Sequence, residues 1–430
     1  MSTAAENQEP LKVALVGAGV VGLTCALALR QKGVSVQLFE AAPQFKEIGA
    51  GIGVGPNAAR ILQHLGVLDE VIAQCKEPSL NLGEFRFLSA EGEHEVLYDY
   101  PVSPNGAGNG LGAYRPAYLD ALVKHLPPGI AQFNKRCVRI EASQSNTERS
   151  VLHFSDGTSD VADIVIGADG IKSTIRSAVT DNPDKLPVFS NTRCFRGLIP
   201  MEEARAAGWT EEFNDRPICF VSKNRHLIVF GVNGYTTINV VAFYADHIKP
   251  IGSESLPPTE PWVQSVPQEE MFKVFEGCGP QVMALLKCIK TPSKWSIHVV
   301  QPHLQSFVKG RVAVIGDAAH GMLPHLGSGA GQGVEDGYVI AQLLGHPQTT
   351  RDNVEAVLKV FDRHVRPRAR MVWEGSYKAG RAYDGWGEHG LNVDGLAKDI
   401  GTQWDPVWFH DINDDIRAAI DELKAEGVYA

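Results

Sequence analysis

Three glycines with the spacing that phosphate contact requires occur near the start of the chain. Gly17, Gly19 and Gly22 form a G-x-G-x-x-G pattern between a strand-like run, residues 12–16, and an apolar helical pattern. The first glycine permits a tight turn, the second lets a pyrophosphate approach the backbone, and the third lets helix and strand pack closely. Glu40 ends the next strand-like run, where a carboxylate accepts hydrogen bonds from a ribose. The spacing predicts a dinucleotide site and does not distinguish FAD from NAD.

Two aspartates stand at the ends of further apolar, strand-like runs. Asp169 follows residues 163–168 (DIVIGA), and Asp317 follows residues 312–316 (VAVIG). An aspartate in this place can accept hydrogen bonds from sugar-like hydroxyls, and glycines at a following helix start expose N–H groups to an anionic ring edge. Alternatively, each aspartate caps a helix or a turn. Because both accompany a dinucleotide unit, the sequence favours contact with a ligand.

The elements that must position these residues are visible as local patterns. Residues 12–40 read as strand, helix and strand, with Gly33 ending the helix, and so form a βαβ unit. The other expectations are a helix through about Leu65 after the glycine-rich segment Gly49–Gly55, a loop at 101–113, a helix at Tyr118–His125, a hairpin at Asp156-Gly157 between Val151–Phe154 and Val161–Ile166, mainly strands at about 185–300, a strand at Val312–Ile315, a helix at about 329–344 and largely helices at 353–430.

Composition and charge exclude several classes of protein. The chain is 44% hydrophobic and 21% charged, which is typical of soluble globular proteins and not of disordered ones. Its 40 basic and 50 acidic residues give a net charge of −10. An acidic surface repels a phosphate backbone, so we expect neither nucleic acid nor an anionic membrane as a partner. Whether the chain works alone or as a homodimer is left open by the sequence.

The cysteines and the longest apolar stretch favour a soluble, cytoplasmic protein. Seven cysteines, widely spaced and without a C-x-x-C pair, argue against a disulfide framework or a metal site and fit a reducing compartment. Val13 to Leu29 is apolar throughout, but its 17 residues include three glycines. A spanning helix needs roughly 20 apolar residues. We therefore expect no membrane segment.

With these motifs in order, the chain resembles the flavoprotein aromatic hydroxylases, the single-component FAD monooxygenases of the para-hydroxybenzoate hydroxylase type. The resemblance rests on the G-x-G-x-x-G unit, on residues 166–170 (IGADG) and on residues 316–320 (GDAAH), and it runs from about residue 10 to 375. Within the family, residues 316–336 (GDAAHGMLPHLGSGAGQGVED) are most similar to the salicylate hydroxylase branch.

The resemblance implies an α/β fold: a Rossmann-like FAD-binding domain, a mixed or antiparallel substrate sheet and a helical C-terminal region. The implied boundaries are 10–180 and 301–345 for the FAD-binding domain, 181–300 for the sheet and 346–430 for the helices. It also implies the cofactor contacts. The implied FAD-contacting residues are Gly17, Gly19, Gly22, Glu40, Gly53, Arg115, Asp169, Gly170, Asp317, Gly329, Ala330 and Gly331.

The implied reaction uses NADH or NADPH, with NADH favoured, to reduce FAD, and O₂ then supplies an oxygen atom to an electron-rich aromatic ring. The protein must orient the ring, remove the phenolic proton and exclude water. His325 could take that proton, with His226 and His320 as weaker competitors. Arg196 could pair with a carboxylate or phenolate. Alternatively, His325 is a structural loop histidine and Arg196 an ordinary solvated arginine.

The implied substrate is a phenolic aromatic acid, most simply salicylate converted to catechol with loss of CO₂. Another phenol or hydroxybenzoate, including one that loses its aromaticity, stays open. A simple NAD-dependent dehydrogenase would leave the Asp169 and Asp317 motifs unexplained. A non-enzymatic flavin sensor would be excluded by NAD(P)H oxidation that an aromatic compound stimulates.

Overall fold

The computed structural model describes residues 11–45, 51–74, 85–100, 110–142, 149–181, 186–213 and 216–430. Gly49 and residues 101–109, both named above, lie outside these ranges. Among the described residues, no helix is both long enough and apolar enough to cross a membrane.

A largely parallel sheet positions the predicted dinucleotide site. Its strands are β1 (Lys12–Val16), β2 (Ser35–Phe39), β7 (Ala131–Gln132), β11 (Ile164–Gly167), β18 (Val308–Lys309) and β19 (Val312–Val314). Their order is β18-β19-β11-β1-β2-β7, with only the β18–β19 pair antiparallel. Because β1, β11 and β19 run parallel, the glycine turn and both aspartates that follow these strands meet at one sheet edge.

Helices supply the rest of the core. They are α1 (Val20–Gln31), α2 (Pro56–His64), α3 (Leu68–Gln74), α4 (Arg115–Lys124), α5 (Arg176–Val179), α6 (Met201–Ala206), α7 (Gln268–Val274), α8 (Pro280–Cys288), α9 (Asp317–His320), α10 (Gly329–Leu344), α11 (Val354–Tyr383), α12 (Val393–Ile400), α13 (Asp405–Trp408) and α14 (Ile412–Ala425). The helices α1 and α10 pack closely because α10 has Gly337 where α1 presents Cys25: a Cβ there would lie 3.0 Å from the cysteine Cβ.

A second, mostly antiparallel sheet of eight strands stands beside the first. Its strands are β4 (Arg86–Ser89), β5 (Val96–Asp99), β12 (Val188–Pro200), β13 (Ile218–Ser222), β14 (Arg225–Val232), β15 (Thr237–Ala245), β16 (Val263–Ser265) and β17 (Ser293–Val299). Their order is β16-β17-β12-β15-β14-β13-β4-β5. Strands β4 and β5 precede residue 181, so this sheet draws on chain from both sides of the boundary expected there.

The two faces of this sheet have different neighbours because side chains alternate along each strand. Phe195 of β12 is buried with Met271 of α7 and Leu285 of α8. The next residue back, Cys194, belongs to the opposite face, which packs against Val372 of α11 and the helices that follow. This second face, called here the inner face, also receives the loop at 321–328.

Two small sheets complete the described strands. They are β3 (Gly51–Val54) paired with β6 (Leu111–Tyr114), and β8 (Cys137–Ala142), β9 (Ser150–Phe154) and β10 (Ser159–Ala162). The hairpin predicted at Asp156-Gly157 is confirmed by the pairing of β9 with β10. The single strand expected at Val161–Ile166 is wrong: the run divides into β10 and β11, which belong to different sheets. A buried run alone cannot reveal where the chain leaves one sheet for another.

Candidate functional site

A groove with a volume of about 390 Å³ opens at the carboxyl edge of the parallel sheet. It contains nine of the twelve residues expected to contact a dinucleotide: Gly17, Gly19, Glu40, Arg115, Asp169, Gly170, Asp317, Gly329 and Ala330. The other three support its walls. Gly22 lies beneath the first turn, Gly53 is on β3 next to the lining residue Ile52, and Gly331 packs on α2, where a Cβ would lie 3.4 Å from Asn57.

The glycine turn forms because larger residues would collide with the backbone. Gly17 has φ +103°, and a Cβ on it would lie 2.3 Å from the Ala168 carbonyl oxygen. A Cβ on Gly22 would lie 2.0 Å from the Gly17 oxygen. Gly19 precedes α1, whose N-terminus has no side-chain cap and no acidic residue in its first turn. Free N–H groups at this terminus therefore face the groove and favour an anion.

Glu40 stands at the carboxyl end of β2, as predicted. Its two carboxylate oxygens accept hydrogen bonds from the backbone N–H groups of Ala18 and Ala42, each at 2.7 Å. These bonds hold the side chain against the glycine turn. A carboxylate has about four acceptor positions, so Glu40 can still accept hydroxyl hydrogens from a ribose in the groove.

The two aspartates occupy different environments. The Asp169 carboxylate accepts hydrogen bonds from the Ser173 hydroxyl at 2.5 Å and from the N–H groups of Thr174 at 2.8 Å and Ile175 at 3.2 Å. Burial raises the pKa of Asp169, although these bonds oppose the shift. The side chain thus caps its own loop, the alternative that the sequence left open. Asp317 is exposed in the groove, and no described residue bonds its carboxylate.

The segment that carries Asp317 is held by hydrogen bonds to Asp336 of α10, which together are called the clamp here. Asp336 of α10 accepts a hydrogen bond from the Gly316 N–H at 2.9 Å, and its Oδ2 lies 2.6 Å from His320 Nε2. Gln332 donates to its other oxygen at 2.9 Å. His320 and Asp336 are 3% and 0% exposed, so this clamp is shielded from water. It fixes the direction in which the aspartate at position 317 points.

Sequence reasoning assigned no role to several cations around the groove. Lys135 and Arg136 line it from the segment after β7, and Arg176 ties the Asp169 loop to α9 through the Ile171 and Ala318 carbonyls at 2.8 and 3.1 Å. The signal available in the sequence was weak: two basic residues follow a two-residue strand. Only the parallel pairing of β7 with β2 places them at the same edge as Glu40.

Arg196 and His325 lie outside the groove lining, at the inner face of the eight-stranded sheet. Arg196 is on β12, on the same side as Cys194, and its guanidinium carbon lies 5.1 Å from the centre of the Trp295 ring. Burial lowers its pKa, and nearby Arg115, a groove residue, lowers it further. Arg196 therefore lies close to the groove. Within the described ranges, no carboxylate is paired with it.

His325 lies in the loop between α9 and α10, both of which contribute residues to the groove. Its ring centre is 4.9 Å from that of His226 and 5.0 Å from that of Phe243. The opposite side of the His325 ring packs against α11 at Gly380, where a Cβ would lie 2.3 Å from the ring. Burial lowers the pKa of His325 well below its usual value, and His226 adds to the shift. The imidazole is thus neutral at pH 7 and able to accept a proton.

The groove suits a flavin dinucleotide on the evidence of its donors and acceptors. The helices α1 and α10 both begin at its edge without a side-chain cap, which suits a pyrophosphate and the pyrimidine edge of a flavin. Glu40 and Asp317 offer carboxylate oxygens for hydroxyls of the adenosine and ribityl portions. These residues would hold FAD in the groove.

Comparison with known proteins supports the same assignment. The family described as an FAD binding domain matches residues 10–185 and 284–376. A salicylate hydroxylase of Pseudomonas putida is 39% identical over 422 residues, 96% of this chain and 95% of its own. A second from the same organism is 40% identical over 419 residues, 95% and 94% of the two chains. A solved structure of a salicylate hydroxylase with substrate has a TM-score of 0.82 at 33% identity, covering 95% of this chain and 98% of its own. The chain therefore belongs to the FAD-dependent aromatic hydroxylases, a family of monooxygenases that includes the salicylate hydroxylases, and its cofactor is FAD.

Proposed function

We propose that the enzyme converts salicylate to catechol and CO₂ with NADH and O₂. The observation that carries the proposal is Arg196, a half-buried cation beside the groove with no carboxylate partner in the described part of the chain. FAD, when bound, accepts hydride from NADH and delivers one oxygen atom of O₂ to the aromatic ring. The residues of the chain must bind the acid, expose the correct ring carbon and handle the phenolic proton.

Arg196 is suited to bind the substrate carboxylate. An arginine stays protonated even when its pKa falls, because its intrinsic value is above 12. Another cation, Arg115, lies close enough to lower its pKa, so an incoming anion relieves repulsion as well as forming hydrogen bonds. The Trp295 ring beneath the guanidinium holds it in place. A carboxylate bound here would orient the ring carbon that bears it.

His325 is suited to accept the phenolic proton. Its depressed pKa keeps the imidazole neutral near pH 7, so it can act as a base. A phenolate is much richer in electrons than a phenol, and the transferred oxygen attacks as an electrophile. A substrate that suits both residues carries a hydroxyl for His325 next to the carboxylate that Arg196 would bind. Salicylate has this arrangement.

The surroundings of these two residues are apolar. Val241 and Phe243 of β15 and Leu326 of the loop belong to one buried cluster, with Met322 and Trp295 packed against it. These apolar side chains limit the access of water to this part of the site, where water would consume a reactive oxidant. The proposed balance is salicylate anion, NADH, O₂ and two protons giving catechol, CO₂, NAD⁺ and water.

The test follows catechol, labelled CO₂ and NADH together. With carboxyl-labelled salicylate, we expect one catechol and one labelled CO₂ for each NADH oxidised. Phenol, which lacks the carboxylate, and benzoate, which lacks the hydroxyl, serve as controls and should support little product. Efficient hydroxylation of another hydroxybenzoate with salicylate inert would contradict the substrate proposed here.

A substitution at Arg196 separates carboxylate binding from the rest of the site. Arg196→Gln should raise the KM for salicylate by roughly 10- to 150-fold, the equivalent of one charge-assisted hydrogen bond. FAD affinity should be unchanged because Arg196 lies outside the groove. The matched control is Arg193→Gln on the same strand, whose guanidinium lies over Phe189. An unchanged KM for Arg196→Gln would assign the carboxylate to another residue.

A further inference from the structure

Asn239 of β15 has a buried side chain that is bonded at one end and not at the other. It lies on the inner face of the eight-stranded sheet, because it alternates along the strand with Val241 and Phe243, which belong to the cluster on that face. The residue is 2% exposed, and its Nδ2 has no hydrogen-bond partner among the described residues. Buried polar groups normally have a partner, so this donor points to a ligand.

The other end of the Asn239 side chain is held by a strand beside the FAD groove. Its Oδ1 accepts a hydrogen bond from the backbone N–H of Gly51 at 3.2 Å. Because this N–H can only donate, the atom that faces it is the amide oxygen, and the two hydrogens on Nδ2 point elsewhere. Gly51 begins β3, whose next residue, Ile52, lines the groove. Asn239 therefore stands between the groove and the inner face, with the direction of its donor fixed.

The side chains directly across from Asn239 in the sheet do not use its donor. Phe230 lies opposite it on β14, and Leu198 lies opposite it on β12. Both are hydrocarbon side chains without an oxygen or nitrogen acceptor. The strand β3 packs closely on this pair because Gly51 has no side chain: a Cβ there would lie 2.7 Å from the Phe230 ring and 3.1 Å from the Asn239 Cγ. The N–H groups of Asn239 are therefore left for a molecule that enters the site.

Arg196 is a diagonal neighbour of Asn239 on the same face. It lies opposite Val241, two residues beyond Asn239 along β15. Diagonal neighbours in an antiparallel sheet are roughly 7–8 Å apart, which is within reach of a long side chain. One carboxylate can therefore lie between the guanidinium and the amide. His325 contacts Phe243, two residues further along β15, with ring centres 5.0 Å apart. The order along β15 is thus an amide donor, an apolar side chain and a base.

We propose that the Asn239 amide donates a hydrogen bond to the substrate carboxylate and so selects an acid over its neutral analogues. The inference rests on the proposed function, because it places the carboxylate of salicylate at Arg196. With its oxygen occupied by Gly51, the Asn239 side chain offers only donors to the substrate.

This arrangement suits a carboxylate better than a carboxamide. The two carboxylate oxygens can accept from Arg196 and from Asn239 at once. A carboxamide has one oxygen for the two donors, and its NH₂ group would face a donor. A site built from buried polar groups rejects an analogue that leaves them unpaired. The two contacts also turn the hydroxyl of the bound acid towards His325.

The experiment measures ligand binding to the enzyme in excess FAD, followed by the change in flavin absorbance. The ligands are benzoate, salicylate and salicylamide, the neutral carboxamide of salicylate. Asn239→Leu removes the donor at nearly constant size and should weaken benzoate and salicylate by roughly 10- to 150-fold, the equivalent of one charge-assisted hydrogen bond. Salicylamide should lose less than about tenfold, because a hydrogen bond to a neutral group is weaker.

A second variant keeps the contact with Gly51. Asn239→Asp retains an oxygen for the Gly51 N–H but presents a second carboxylate oxygen where the donor was. Binding of both acids should weaken by more than about 100-fold, because two facing carboxylates repel each other. Asn233→Asp makes the same change in the turn between β14 and β15, away from the inner face, and should bind all three ligands as wild type does.

The pattern across the ligands decides the outcome. Wild-type affinity for both acids in Asn239→Leu and Asn239→Asp would overturn the contact and leave the proposed function intact. Equal losses of all three ligands would also overturn it, because a purely structural role through Gly51 does not distinguish an acid from an amide. If the wild type makes no catechol but binds benzoate through Asn239, the proposed function fails and the carboxylate contact stands. A wild-type enzyme that binds neither acid would overturn both.

Discussion

His320 and His325 are five residues apart in one segment, and both are almost fully buried, yet their environments shift their pKa values in opposite directions. Burial lowers the pKa of each. At His320 the contact with Asp336 outweighs burial, and the pKa rises. At His325 the adjacent ionisable side chain is that of His226, and Asp384 bonds to His226 instead of His325. The pKa of His325 therefore falls well below its usual value. Direct contact with a carboxylate therefore separates a histidine that holds a proton from one that can accept it.

The largest effect is expected from removing the histidine that accepts. His325→Gln should retain FAD and still oxidise NADH, while formation of hydroxylated product falls by about 10²–10⁴-fold. The oxygen consumed should appear as hydrogen peroxide. Product and peroxide per NADH measure the change, with His320→Gln as the comparison. If His325→Gln forms as much hydroxylated product per NADH as wild type, His325 has a structural role and does not accept the phenolic proton.

A smaller effect is expected from removing the carboxylate that His320 contacts. Asp336→Ala leaves a buried histidine without its partner and also removes acceptors for Gly316 and Gln332. Breaking a buried pair in this way costs about 3–5 kcal/mol. Denaturant unfolding at fixed FAD concentration measures the loss, and FAD affinity should fall with it because the Asp317 loop is released. Asp415→Ala at the partly exposed His410 pair is the control, with a loss of about 1 kcal/mol or less. Full stability of Asp336→Ala would show that the clamp does not hold the loop.

The smallest effect is a difference in how the two histidines link stability to pH. The stability that a raised pKa at His320 contributes is fully present below the unfolded value of about 6.5 and is lost as pH rises through the folded value. For His325, with a lowered pKa, stability is present above about 6.5 and is lost as pH falls towards the folded value. A tenfold difference in proton affinity between the folded and unfolded states corresponds to about 1.4 kcal/mol.

Unfolding free energies of wild type, His320→Gln and His325→Gln across pH 5–9 test these signs. The stability advantage of wild type over His320→Gln should shrink above about pH 6.5, and its advantage over His325→Gln should shrink below about pH 6.5. The same direction of change in both variants would contradict the assigned protonation states.

Short-range sequence patterns were sufficient to predict which residues meet at the groove, but they were insufficient to predict the arrangement of residues at the inner face. The glycine turn, Glu40 and Asp317 are each set by a strand and the few residues after it, so their convergence at one edge follows from parallel pairing. Asp384 lies 158 residues from His226, and no periodicity links a helix end to a strand so far away. The role of Asp169 also needed the structure, because the choice between binding a ligand and capping a loop depends on where three neighbours point.

Strand pairing between distant segments was the other feature that pattern could not supply. Strand β4 pairs in parallel with β13 through Arg86 and Ile218, more than a hundred residues apart. Each strand alone is a short apolar run with no indication of its partner. The inner face of the sheet, and hence the place of Arg196, follows from such pairings.

The 30-residue helix α11 has a consequence for how the protein loses its structure. It is about 45 Å long at 1.5 Å per residue. Its first half, including Phe361, is buried in the cluster around the parallel sheet, and its second half, including Tyr383, is buried against the inner face. Neither sheet can lose its packing without uncovering part of the same helix. Heating should therefore give one cooperative transition for cofactor release and loss of both sheets, and a chain cut before residue 354 should accumulate as insoluble material.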